Sequence, residues 1–204
     1  MSLEALSYRG IETLDKIQGT EQGILLGSSI SLDFKNTRVA IGHLGNVISQ
    51  GKVTVSSLID ADSNTWQTSK IITEPSASNG SYFGHAVSMN WTGTRVAVGA
   101  YGVDKVYVFD ATSTSSNPWA TYVSNTISGY TNSNFGYSVS LGQDIDTVLA
   151  IGAPNHNRVD VWKLSNSSWS LAYSNIGDDI PNVIPLNSTS GTVTINSKLS
   201  SNVS

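Results

Sequence analysis

The chain has 204 residues, a formal net charge of −4, 13% charged residues and no cysteine. The length suits one domain, or a piece of a larger one, with a sizeable core. Without a basic block there is no electrostatic footprint for nucleic acid. The missing cysteines exclude a disulfide frame, a thiolate zinc site and a cysteine nucleophile. No apolar run is long enough to span a membrane, so no membrane insertion is expected.

Residues 1–24 form an N-terminal segment. Its opening, "MSLEALSYRGIETLDKIQG", lacks the apolar stretch of a secretory signal, so none is expected in this chain. Within it, "IETLDKIQG" (11–19) resembles a strand that precedes a new repeat, as "LAYSNIG" (171–177) does. That makes 1–24 a candidate source of a blade-completing strand.

From residue 25 the chain writes one pattern three times. Copy one carries Gly27, Ser31, Arg38-Val39-Ala40, Gly42, Val53-Thr54-Val55 and Trp66. Copy two carries Gly84, Ser88, Arg95-Val96-Ala97, Gly99, Val106-Tyr107-Val108 and Trp119. Copy three carries Gly136, Ser140, Val148-Leu149-Ala150, Gly152, Val159-Asp160-Val161 and Trp169. The copies span about 25–81, 82–133 and 134–177.

Each copy reads as four strands, because apolar and polar residues alternate and no helical period is present. Strand a is "SSISL", "HAVSM" or "YSVSL"; strand b is "TRVAIG", "TRVAVG" or "TVLAIG". Strand c is "KVTVSSL", "KVYVFDA" or "RVDVWKL"; strand d begins at the tryptophan, "WQTSKII", "WATYVS" or "WSLAYS". The a–b joints "DFKN", "NWTG" and "GQDID" have turn chemistry. Such a meander cannot cover both its faces, but copies stacked radially cover each other. The expectation is an all-β, β-propeller-like array of four-stranded antiparallel blades, incomplete or completed by partners. The glycine ending strand b is expected where backbones crowd or φ is positive. The tryptophans are expected in the packing rather than at a ligand.

Phe83-Gly84 with Gly99-Ala100, and Phe135-Gly136 with Gly152-Ala153-Pro154, resemble the FG-GAP repeat of integrin α-subunit-type β-propellers. Copy one departs from it, with Leu26 for Phe and His43-Leu44 for Ala-Pro. In that family an Asp-x-Asp-x-Asp-Gly calcium loop often lies between strands a and b. It is not carried over, since "LDFKNTR", "MNWTGTR" and "LGQDIDTV" keep only Asp144 and Asp146. The other candidate cation ligands are Asp60, Asp62 and Asn64, an EF-hand-like opening without its glycine and distal glutamate. An Asx-rich turn is the simpler reading, so no metal and no cofactor is assigned. The same stretch fails as a sialidase Asp-box, because Ala61 and Ser63 stand at the Asp and Gly positions.

His43, His85 and His156 are the only histidines. No Gly-x-Ser-x-Gly elbow supports a catalytic triad. No acid pair suggests glycoside hydrolysis, Asp178-Asp179 reading as a solvated turn, and no phosphate loop occurs. An enzyme is therefore not expected. Sequons at Asn79, Asn90, Asn166, Asn187 and Asn202 are ordinary for a chain rich in Asn, Ser and Thr.

The resemblance puts the d–a and b–c loops toward a partner. They carry the candidate binding residues Tyr82, Tyr101, Tyr130, Asn155, His156 and Asn157. Residues 178–204 read as a degenerate blade or docking arm, with short strands near 183–186 and 192–195. The leading functional reading is a non-enzymatic structural and surface-display module of a large assembly, such as a viral capsid or tail. Its partners would be proteins or copies of itself, at an extracellular surface or in a virus particle. The alternative is an adhesion or receptor- and glycan-recognition module; a glycan-acting enzyme is the third reading.

Overall fold

The computed structural model describes residues 25–45, 50–60, 65–76, 78–142 and 148–174. The terminal segments 1–24 and 178–204, with every expectation placed on them, lie outside the described residues. Twelve strands form three four-stranded antiparallel sheets in sequential order. Blade 1 comprises β1 (Leu25–Leu32), β2 (Arg38–Leu44), β3 (Lys52–Asp60) and β4 (Thr65–Thr73). Blade 2 comprises β5 (Ala86–Met89), β6 (Arg95–Ala100), β7 (Lys105–Ala111) and β8 (Tyr122–Ser128). Blade 3 comprises β9 (Ser138–Leu141), β10 (Val148–Ala153), β11 (Arg158–Ser165) and β12 (Ser168–Tyr173). The only helical pieces among the described residues are three short 3-10 turns. The all-β array of four-stranded blades read from the repeat is the observed architecture.

The blades meet along their first strands: β1 packs on β5 and β5 on β9, with no comparable contact between the fourth strands. Apolar residues from both sides close each junction. Ala40, Val53, Val55 and Ile72 of blade 1 meet Phe83, Met89, Tyr107, Phe109 and Trp119 of blade 2. Ala97, Val106, Val108 and Ile127 of blade 2 meet Phe135, Leu141, Leu149 and Ile151 of blade 3. Each blade thus has a forward face and a rear face, which is why β2, β6 and β10 read as near-continuous apolar runs.

The repeated glycine that ends strand b is explained by this stacking. A Cβ on Gly42 would lie 2.1 Å from the carbonyl oxygen of Gly84, and one on Gly99 would lie 2.0 Å from that of Gly136. Crowding accounts for these positions. Positive φ belongs instead to the glycine before strand a, at +81° for Gly27, +87° for Gly84 and +90° for Gly136.

One strand start is corrected. Trp119 does not open strand d of copy two but lies in a 3-10 turn, Pro118–Ala120, and β8 begins at Tyr122. Pro118 has no N–H for the ladder, and the Asn117 side chain accepts the Trp119 N–H at 3.0 Å. The indole is fully buried and donates to the Gly93 carbonyl at 2.9 Å. Trp66 and Trp169 do lie in β4 and β12, both half-buried.

Candidate interaction surfaces

At one end of the array the d–a and b–c loops come together through a motif built twice. In Ser81-Tyr82-Phe83-Gly84 and Ser133-Asn134-Phe135-Gly136, the second residue has φ of +55° or +56°. The phenylalanines plunge into the core with no exposed surface. The Gly84 N–H donates to the Gly99 carbonyl at 3.1 Å, and Gly136 to Gly152 at 3.0 Å. This turn throws Tyr82 and His85, like Asn134 and Tyr137, away from the core.

The b–c loops of blades 2 and 3 are 3-10 turns, Tyr101–Val103 and Pro154–His156, each closed by a left-handed residue, Asp104 or Asn157. The Gly102 N–H donates to the Ser81 carbonyl, and the Asn155 N–H to that of Ser133, both at 3.1 Å. The Asp104 carboxylate accepts from the Asn132 N–H at 2.7 Å, the Phe135 N–H at 3.1 Å and the Ser133 hydroxyl at 3.1 Å. It is the clasp between these loops, and nothing in its sequence surroundings pointed to that.

The six candidate binding residues divide. Tyr82 and Tyr101 stack with ring centroids 4.8 Å apart and an interplanar angle of 3°. His85 lies edge-on to Tyr101 at 4.8 Å, and Tyr137 is 4.7 Å from His85 and 5.2 Å from Tyr101. Burial and the neighbouring phenols Tyr82 and Tyr137 push the Tyr101 pKa upward. Tyr130 and His156 belong to a second group, 6.2 Å apart. The Arg158 guanidinium lies 3.9 Å from the Tyr130 ring centroid, donates to its hydroxyl at 2.5 Å and donates to buried Asp160 at 2.6 Å. The Asn155 amide donates to the Asn132 carbonyl at 3.3 Å, and Asn157 closes its turn. His85, Tyr137 and Arg158 were missed. His85 and Tyr137 occupy the same repeat position, one after the FG glycine, and that equivalence was the available signal.

The opposite end carries the a–b turns, and those of blades 1 and 2 are closed by side-chain clamps. The Asp33 carboxylate accepts the Thr37 and Arg38 N–H groups at 2.7 and 3.0 Å, and the Asn90 side-chain oxygen accepts those of Thr94 and Arg95 at 2.9 Å each. These are Asx-type clamps. Beside them exposed Phe34 and Trp91 stack at 3.5 Å. Asp60 pairs opposite Thr65 at the end of β3; Asp62, Asn64, Asp144 and Asp146 lie outside the described residues. Among the described residues no cluster of three or more His, Asp or Glu is placed to hold a metal ion. No helix among them is long and apolar enough to cross a membrane.

No family model and no curated protein matches the chain by sequence. Solved structures do match by fold. The WD40 repeats of RRP9 align with a TM-score of 0.50 at 13% identity, over 79% of this chain and 41% of that one. The periplasmic gluconolactonase PpgL of Pseudomonas aeruginosa aligns at 0.52 and 14%, over 72% and 41%. The β-propeller domain of Myceliophteria thermophila Cps50 (Swd1) aligns at 0.50 and 13%, over 74% and 43%. The chain spans about two fifths of the length of these structures. At such identities the likeness shows the fold alone, and that fold is the β-propeller.

Proposed function

We propose that the chain is a non-enzymatic β-propeller interaction module of the FG-GAP, integrin α-subunit type, acting as a structural block within a larger protein assembly. One observation carries this reading. The rear-face positions that blade packing buries in blade 2, Val87 at 7% exposure and Met89 at 0%, recur in blade 1 as Ile30 at 62% and Leu32 at 50%. Exposed apolar side chains on an outer strand of this kind support a protein-binding reading. The FG-GAP assignment is supported by the residues of its signature, whose two glycines are hydrogen-bonded to each other in blades 2 and 3. Display at an extracellular surface or in a virus particle belongs to the same proposal, with which the low charge and the missing cysteines are compatible.

Light scattering across a concentration series tests it. The expected mass exceeds that of one chain and falls to one chain in Leu32→Asp. A single-chain mass at every concentration would overturn the assembly reading. A second reading, glycan or receptor recognition at the loop face, is favoured by the group of exposed Tyr137 with half-buried Tyr82, Tyr101 and His85, because aromatic rings at a surface stack on sugars and protein side chains. A glycan-array signal lost in Tyr137→Ala would support it; an array without signal would leave it no glycan.

A further inference from the structure

The two junctions inside the array use the same atoms. The Met89 N–H donates to the Ser31 hydroxyl at 2.9 Å, and one blade on, the Leu141 N–H donates to the Ser88 hydroxyl at 2.9 Å. The Val87 N–H likewise donates to Ser29 at 2.9 Å. These are outward N–H groups of strand a, a sheet edge; serines of the blade before accept two of them at the first junction and one at the second, where Ala86 stands in the place of Ser29. Each junction also seats the carbonyl of an FG-position glycine on the strand b glycine of that preceding blade.

Both halves of this junction recur at the two ends. On the forward face of blade 3, Ser140 stands at the Ser31 and Ser88 position and is exposed, where those two are half-buried. Gly152 stands at the Gly42 and Gly99 position, yet the nearest atoms to a Cβ there all belong to Ser138 of its own blade, its hydroxyl first, with no carbonyl of another blade. On the rear face of blade 1, Gly27 has the positive φ of Gly84 and Gly136 but nothing within 4 Å of its Cβ direction. Exposed Leu32 stands where Met89 and Leu141 are buried.

We propose that the forward face of blade 3 receives β1 of a second copy of this chain, so that copies join head to tail through a third version of the blade junction. The Leu32 N–H of one copy then donates to Ser140 of the other, and the Gly27 carbonyl seats on Gly152. The contact is heterologous, because different patches meet, so it closes into a ring or propagates according to its rotation. Continuity argues for a second copy over an unrelated protein. Spacing of serines, glycines and apolar residues on both faces already fits this chain's own partner face.

This inference rests on the assembly reading, and two measurements separate their fates. First, Gly152→Val should still fold, at a small stability cost, since the close contact in its own blade is a movable serine hydroxyl. In a head-to-tail contact the same valine meets a backbone carbonyl. Self-association measured by sedimentation is therefore expected to weaken at least tenfold while the unfolding transition stays cooperative and only slightly lowered. Second, the chain has no cysteine, so Ser140→Cys and Leu32→Cys can be made separately, mixed, and treated with a short bis-maleimide. The expected product is the mixed dimer, in excess of either self-linked species, at the efficiency that Ser88→Cys with Leu141→Cys shows within one chain. An oligomer that ignores Gly152→Val and yields no mixed dimer overturns head-to-tail joining and leaves assembly standing. A cross-link within one chain in the double variant Ser140→Cys with Leu32→Cys overturns it in favour of closure by that chain itself. A wild-type chain that stays single at all concentrations overturns both.

Discussion

Gly99 and Gly152 occupy the same place in the repeat and live in different surroundings. Gly99 ends strand b of an inner blade and is buried against the carbonyl of Gly136; Gly152 ends strand b of the last described blade and is half-exposed. The same contrast runs through Phe135 and Leu26, Met89 and Leu32, Ser88 and Ser140. The lesson is that a repeat unit encodes a junction rather than a blade. Each copy contributes half of the contact ahead and half of the contact behind, and a residue's worth depends on which neighbour is present.

The largest expected effect comes from the core anchors of the junction. Phe135→Ala should destabilise the fold by about 3–5 kcal/mol, the usual cost of deleting a buried aromatic. Leu26→Ala, at the matching position of blade 1, should stay within about 1.5 kcal/mol, as half-buried sites do. Urea unfolding followed by tryptophan fluorescence reads both. Equal losses would break the comparison by showing that blade 1 is packed as tightly from behind as blade 3 is. Next comes the glycine pair. Gly99→Ala forces a methyl into backbone and should cost about 1–3 kcal/mol or more, whereas Gly152→Ala should cost well under that, because a serine rotamer can yield.

How much of this was legible in the sequence follows from what each residue does. The three blades were legible because edge-to-edge alternation and stacking impose a pattern on every copy. Gly42 and Gly99 were legible as special, and crowding was one of the two reasons given for them. The start of β8 was not, because Pro118 moved Trp119 into a turn while leaving it in the core; the tryptophan kept its packing role and lost its ladder role. The loop face was legible only in part. Tyr82 and Tyr101 stood out singly, yet the group they form needs His85 and Tyr137 from two different blades, a juxtaposition that radial stacking creates and linear order hides. Asp104 was invisible as a clasp, since its partners arrive from the next d–a loop.

Tyr107 sharpens the comparison through pH. It lies on the rear face of blade 2, fully buried, and its hydroxyl donates at 3.0 Å to Glu74 from the end of blade 1. Burial first, then the Glu74 charge and hydrogen bond, push its pKa up to about 12 from 10.0. A raised folded-state pKa means that the native chain holds this proton more tightly than the unfolded one. Its contribution is therefore full below pH 10 and is lost as pH rises toward about 12. Blade 1 has Thr54 and blade 3 has Asp160 at this position, so the tyrosine effect belongs to the junction between blades 1 and 2. Tyr107→Phe should cost about 1–3 kcal/mol at neutral pH by leaving Glu74 short of a partner. It should also flatten the alkaline limb of the stability profile relative to wild type. An unchanged limb would assign that limb to other tyrosines and lysines.

The smallest effect is the most discriminating, because it concerns one hydroxyl at two ends of the same rule. Ser88→Ala removes the acceptor of the Leu141 N–H at an inner junction and should cost about 0.5–1.5 kcal/mol. Ser140→Ala removes the matching hydroxyl where it faces outward, so in a dilute single chain it should change stability by no more than about 0.5 kcal/mol. At concentrations where copies associate, the two substitutions should converge, since Ser140 then has an N–H to accept. Thermal unfolding measured at both ends of a concentration series reads this directly. A Ser140→Ala penalty that grows with concentration means the junction is completed between chains. A penalty equal to that of Ser88→Ala even in dilute solution would mean that the forward face of blade 3 is covered within one chain.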